Sequence, residues 1–91
     1  MKPKVYIVEC YWDNGEMYDE DFMESTTIEG VFSTKGKAEM YVQSYTPEAE
    51  IEYNIIEDVT ENGIRYISTR DNDEYYLEDH YKLSIKEMEV Q

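Results

Sequence analysis

The sequence predicts an α+β domain in which one helix packs on an antiparallel sheet, with the elements in the order β-β-α-β-β-β. One segment, after Ser33 and Thr34, has apolar residues at helical spacing, whereas apolar residues elsewhere alternate or form the short runs typical of strands. Turn sequences such as Asn62-Gly63 separate these runs. The chain has 91 residues, so we expect a single domain spanning 1–91.

The first strand is expected over 4–12, where apolar side chains on both faces indicate a central position in the sheet. The sequence Asp-Asn-Gly at 13–15 then supplies turn chemistry, since Asn and Gly tolerate a positive φ. The second strand is expected over 25–32, with Ile28 and Phe32 facing inward. The stretch between the turn and this strand has no clean period and fits either a wide hairpin loop or an irregular strand.

The helix begins after Ser33 or Thr34, either of which can cap it by accepting a backbone N–H bond. It ends before Pro47, because proline disfavours the helical conformation in the residue that precedes it. The apolar side chains between these points form one stripe, which should face the sheet. The stripe consists of Ala38, Tyr41, Val42 and Tyr45.

Three further strands are expected after the helix, over 51–59, 64–69 and 81–90. The first two are joined by Asn-Gly at 62–63, the strongest hairpin signal in the chain, because both residues suit a type I′ turn. Alternating apolar residues predict one buried face on the first and last of these strands. The outer face of the last strand is rich in Lys, Ser and Glu and resembles a protected edge, which favours a monomer.

Charge is the most prominent feature of the composition. Asp and Glu number 22 against 8 Lys and Arg, which gives a net charge of −14. Such a field repels phosphate groups, so direct binding of nucleic acid or of an anionic membrane is disfavoured. A basic protein surface is the natural complement. A requirement for solubility alone is the alternative explanation of the acidity.

Nothing in the sequence indicates catalysis, so we expect no enzyme and no cofactor. Cys10 lies in an apolar run, where a buried small hydrophobe is expected, and a single cysteine fits a reducing compartment. We find no membrane span or signal peptide and expect a cytoplasmic protein, in the host cell if the gene is phage-encoded. The acid-rich loops at Asp13 and Asp71 miss the ligand spacing of an EF-hand, so no metal site is expected. His80 could form a local acid–imidazole pair with Asp79.

Two motifs resemble a group of short, mostly uncharacterised bacterial and phage proteins. They are the strand VYIVE at 5–9 and the strand-to-helix segment GVFSTKGKAEMY at 30–41, and a further strand follows at 51–53. Gly36 stands where such sequences commonly carry a Glu that would complete a capping box. The resemblance covers roughly residues 1–57 and implies a fold and a phage or mobile-element origin, without an active site to transfer.

The acids are unevenly distributed along the chain. Seventeen of the 22 lie in three windows without a base, 13–24, 48–61 and 71–79. Aromatic residues are interspersed among them, a composition that suits an interface because rings provide contact area and carboxylates pair with Arg and Lys. Solvated loops whose tyrosines belong to the core are the alternative. The predicted protein-binding residues are Asp19, Glu20, Asp21, Glu57, Asp58, Asp71, Asp73, Glu74, Tyr75 and Tyr76.

These features predict a non-enzymatic acidic inhibitor from a phage or mobile element. It would bind a basic host protein that handles nucleic acid, such as a nuclease, with its carboxylates in place of phosphates. An anti-CRISPR or other anti-defence protein is the concrete form of this nucleic-acid mimic. An immunity protein or antitoxin against a basic toxin nuclease is one alternative, and a small acidic phage domain without an acidic-site function is another.

Overall fold

A computed structural model describes residues 3–15, 20–47, 53–71 and 78–90. All strand pairs in these ranges are antiparallel, which confirms an α+β fold with one helix on an antiparallel sheet. No helix in the described residues is long and apolar enough to cross a membrane. The elements along the chain are β1 (Lys4–Asp13), β2 (Glu24–Phe32), α1 (Lys35–Ser44), β3 (Tyr53–Glu61), β4 (Ile64–Asp71) and β5 (Glu78–Glu89).

The lateral order of the strands is β2-β1-β5-β4-β3, which differs from their order along the chain. Two hairpins, β1–β2 and β3–β4, are joined by β5, which pairs with β1 on one side and with β4 on the other. The central position expected for β1 is confirmed. The expectation that the last strand forms a protected edge is wrong, because β5 is the middle strand and the edges are β2 and β3. The prediction of a monomer, which depended on β5 being an edge strand, is therefore no longer supported by it.

The helix covers one face of the sheet and forms the core with it. Thr34 is the N-cap, and its hydroxyl accepts a hydrogen bond from the Lys37 N–H at 3.2 Å. The predicted apolar stripe is confirmed, since Tyr41 and Tyr45 also pack against the core, and Cys10 is buried as expected. The core consists of Val8, Cys10, Ala38, Val42, Ile67 and Leu83.

A bulge in β2 changes the inward face predicted for this strand. The register shifts between Val8 and Glu9, so that Glu29 is an extra residue in β2. Phe32 packs against the core, whereas Ile28 is 63 % exposed. The expectation that both side chains face inward is therefore wrong, because the extra residue interrupts the two-residue period.

The edge strand β3 is joined to β4 by the predicted hairpin. Asn62 and Gly63 have φ angles of 54° and 79°, as a type I′ turn requires. The prediction of a buried face over 51–59 is wrong for the residues that the structure describes, since every described side chain from 54 to 61 is exposed. The reason is that α1 packs mainly on β1, β2 and β5 and touches β3 only near its end, where Gln43 Nε2 donates to Thr60 Oγ1 at 3.2 Å.

Replacing Gly15 by alanine should destabilise the protein by about 2–4 kcal/mol. Gly15 has a φ of 76°, and a Cβ at this position would collide with the carbonyl oxygen of Glu78 in β5. Gly63→Ala is the matched control, because its φ of 79° is similar but no atom lies near its Cβ position. Urea denaturation should give a loss of only about 1–2 kcal/mol for the control. Equal losses in the two variants would contradict the close contact between the turn and β5.

Candidate functional site

Five strand ends meet at one end of the sheet. β1 ends there at Asp13, opposite both Glu24, the first residue of β2, and His80 of β5. β4 ends there at Asp71, opposite Tyr53, the first residue of β3. We call these strand ends, the two segments that join them in sequence (14–23 and 72–77) and the segment that leads into β3 the acidic end, because the three acid-rich windows contribute to it. The lateral strand order thus brings together three parts of the chain that are far apart in sequence.

The structure describes half of the predicted binding residues. Glu20 and Asp21 lie in the connection between β1 and β2 and have exposed side chains. Asp71 ends β4, and Glu57 is exposed on β3, where it pairs with Ser68. The fifth, Asp58, is treated separately below. Outside the described residues lie Asp19, Asp73, Glu74, Tyr75 and Tyr76.

Asn14 holds the connection between β1 and β2 in place. Its backbone N–H donates to the Met23 carbonyl at 3.1 Å, and its side-chain oxygen accepts from the Met23 N–H at 3.2 Å. Its side-chain amide donates to the carbonyl of Asp21 at 2.8 Å. These bonds fix the backbone beside the exposed Glu20 and Asp21. The sequence indicated Asn14 only as a turn residue. Its hydrogen-bond partners lie between the turn and β2, where the hydrophobic pattern predicted no definite structure.

A row of paired charges lies on the uncovered face of the sheet, next to the acidic end. His80 Nδ1 is 3.0 Å from Asp13 Oδ1, and His80 Nε2 is 3.6 Å from Glu78 Oε2. Arg70 donates to Glu78 Oε1 at 2.7 Å, and this bond lowers the pKa of the Glu78 carboxyl group. The partners of His80 are therefore Asp13 and Glu78 on neighbouring strand positions, whereas the sequence suggested its chain neighbour Asp79.

Glu24 at the start of β2 is also held by the fold. The Tyr11 hydroxyl donates to Glu24 Oε2 at 2.7 Å, and this bond to a carboxylate raises the pKa of Tyr11. Together with the pairs of Asp13 and Glu78, this contact shows that these three acids are held by neighbouring side chains. The acids considered below as contacts for a partner are those of the connecting segments, such as Glu20, together with Asp71 and Glu57.

Asp58, a predicted binding residue, is instead bound by a buried arginine. Arg65 Nε donates to Asp58 Oδ1 at 2.9 Å and Arg65 Nη2 donates to Oδ2 at 2.7 Å, and these bonds lower the pKa of the Asp58 carboxyl group. Arg65 Nη1 also donates to the carbonyls of Val42 at 2.7 Å, Gln43 at 3.2 Å and Tyr45 at 2.7 Å. Asp58 therefore helps to attach the C-terminal end of α1 to the sheet, and it is not part of the binding surface proposed below.

The lysines lie mostly toward the opposite end of the sheet. Lys4 begins β1 and forms an ion pair with Glu87 at 2.9 Å. Lys35 begins α1 and lines a surface cavity with Asn62 and Gly63 at the tip of the β3–β4 hairpin. At the acidic end, the described bases include an arginine and a histidine, and both are paired with acids. These two lysines at the opposite end are likewise paired with glutamates, so that end carries charges of both signs.

The described residues contain no group of three or more His, Cys, Asp or Glu side chains that could hold a metal ion. No family model, curated protein or solved structure matches the chain. The resemblance to short bacterial and phage proteins at 5–9 and 30–41 therefore rests on those motifs alone.

Proposed function

We propose that this protein is a non-enzymatic inhibitor, of phage or mobile-element origin, that binds a basic, nucleic-acid-handling protein through its acidic end. The observation that carries the proposal is that strand ends belonging to all three acid-rich windows meet at one end of the sheet. Their carboxylates stand in for phosphates and occupy the groove in which the partner holds nucleic acid. The proposed contact residues at the acidic end are Asp19, Glu20, Asp21, Asp71, Asp73, Glu74, Tyr75 and Tyr76, and Glu57 on the exposed edge strand β3 extends the surface.

The spacing of the acids along the chain supports the proposed mimicry of nucleic acid. In the run of acids at 19–21, consecutive residues carry one charge each, and their Cα atoms are about 3.8 Å apart along the chain. A DNA strand carries one phosphate per about 3.4 Å. The charge density of such a run is therefore close to that of a nucleic-acid strand, and the tyrosines at 75–76 would add contact area beside the acids.

The distribution of charge also supports a defined orientation of binding. A basic surface attracts the acidic end more strongly than the opposite end, where Lys4 and Lys35 are paired with glutamates. Encounter with the partner would then occur with the acidic end first, which raises the association rate and suppresses other orientations.

The test is capture of the partner from a lysate of the native host on immobilised protein. At about 50 mM salt we expect capture of a basic nucleic-acid-binding protein, which should be released at about 500 mM salt because added ions screen the contact. Mass spectrometry identifies the captured protein. If that protein is a toxin nuclease, the same acidic surface is that of an immunity protein. Capture of no basic protein, or capture that is unchanged by salt, would contradict the proposal.

A further inference from the structure

A cavity of about 430 Å³ lies beside the C-terminal half of α1. Its volume is within the range of ligand pockets in proteins, about 300–1,000 Å³. Tyrosines and one carboxylate line it, together with two hydroxyl side chains. The lining residues are Glu29, Tyr41, Ser44, Tyr45, Thr46 and Tyr81.

The three tyrosine rings of the cavity form a connected series. The ring centroids of Tyr41 and Tyr45 are 6.4 Å apart with an interplanar angle of 47°, and those of Tyr45 and Tyr81 are 6.4 Å apart with an angle of 52°. The faces of aromatic rings carry a negative potential that attracts cations. Burial raises the pKa of Tyr45, whose hydroxyl accepts a bond from the Cys10 thiol at 3.7 Å. Tyr45 therefore remains a neutral phenol, and the aromatic walls can stack on a cation.

Glu29 supplies the charge that a cation would pair with. It is the extra residue of the bulge in β2, and its Oε2 accepts a hydrogen bond from the Tyr41 hydroxyl at 3.3 Å. A carboxylate offers about four lone-pair sites, so this bond leaves capacity for a second donor. The positive charge of Arg65 at the end of α1 is balanced by its bidentate bonds to Asp58.

We propose that this cavity binds an arginine side chain of a partner protein. Guanidinium is planar, stacks on aromatic rings and donates two parallel hydrogen bonds to a carboxylate, so it fits this set of groups better than an ammonium does. The cavity is close to the acidic end, because Tyr81 pairs with Trp12, the residue before the end of β1. The claim that the arginine comes from the basic partner rests on the proposed function. The claim that the cavity binds an arginine side chain does not.

The test is a titration with arginine blocked at both ends, followed by NMR of the tyrosine ring protons. We expect saturable shifts of Tyr41, Tyr45 and Tyr81 with a dissociation constant in the millimolar range. Blocked citrulline, which has the same shape without the charge, should cause no saturable shift. Binding of blocked lysine as tight as that of blocked arginine, or shifts confined to other residues, would overturn the proposal.

Glu29→Gln keeps the shape of the side chain, and we expect it to weaken arginine binding by about tenfold. Glu39→Gln is the matched control, because Glu39 is an exposed acid of α1 outside the cavity, and its substitution should leave the affinity unchanged. Equal affinity in the two variants would also overturn the proposal. If arginine does not bind but the lysate capture succeeds, the cavity site alone is refuted. If arginine binds but no basic protein is captured, the proposed inhibitor function alone is refuted.

Discussion

Replacing Arg65 by alanine should destabilise the protein by about 3–5 kcal/mol, a large part of the roughly 5–15 kcal/mol typical of a domain. The Arg65 side chain is 10 % exposed and binds Asp58 together with three carbonyls at the end of α1. Alanine leaves the carboxylate and these carbonyls without a donor and detaches the helix end from β4. Urea denaturation followed by circular dichroism measures the loss.

Two variants separate this role from a general effect of charge. Arg65→Lys should restore only part of the stability, because an ammonium cannot reach both the carboxylate and the carbonyls with a planar fork of donors. Arg70→Ala removes an ion pair with Glu78 in which the side chains are 44 % and 34 % exposed, and it should cost about 1 kcal/mol or less. Similar losses for Arg65→Ala and Arg70→Ala would contradict the account of the helix end.

Neutralising four acids of the acidic end should weaken binding to the captured partner by about a hundredfold or more, since each lost charge pair contributes about 0.7 kcal/mol or more. The measurement is a binding titration with the purified partner at about 50 mM salt, where screening is weak. The substitutions are Glu20→Gln, Asp21→Asn, Asp73→Asn and Glu74→Gln.

A matched control removes four negative charges away from the acidic end. Because the net charge of the two variants is the same, a difference between them reports the location of the acids and not their number. The control should retain binding within about threefold. Comparable weakening in both variants would assign the attraction to net charge alone. The control substitutions are Glu39→Gln, Glu61→Gln, Glu87→Gln and Glu89→Gln.

The elements with local signals could be predicted from the sequence. The helix has a cap and a stripe at helical spacing, and the turn at Asn62 and Gly63 requires residues that tolerate a positive φ. The bulge at Glu29 could not be predicted, because it depends on how β2 aligns with β1. The central position of β5 was also missed, since its polar outer face suits an uncovered sheet face as well as an edge.

The candidate site could be predicted only as separate pieces. The sequence indicates the acid-rich windows, but the lateral strand order decides that they meet, and that order depends on pairings between distant strands. The pairing of His80 with Asp13, 67 residues apart, has the same origin. The pair between Asp58 and Arg65 could not be predicted, because the two residues are seven apart across a hairpin, where a local pattern of charges gives no signal.

The most direct test of the central claim is the displacement of labelled nucleic acid from the captured partner, followed by fluorescence anisotropy. The claim predicts that the protein and the nucleic acid exclude each other, so that anisotropy falls to the value of free nucleic acid as the protein is added. The variant with four neutralised acids at the acidic end should displace the nucleic acid only at about a hundredfold higher concentration. A ternary complex, in which the partner holds the protein and the nucleic acid together, would contradict the claim.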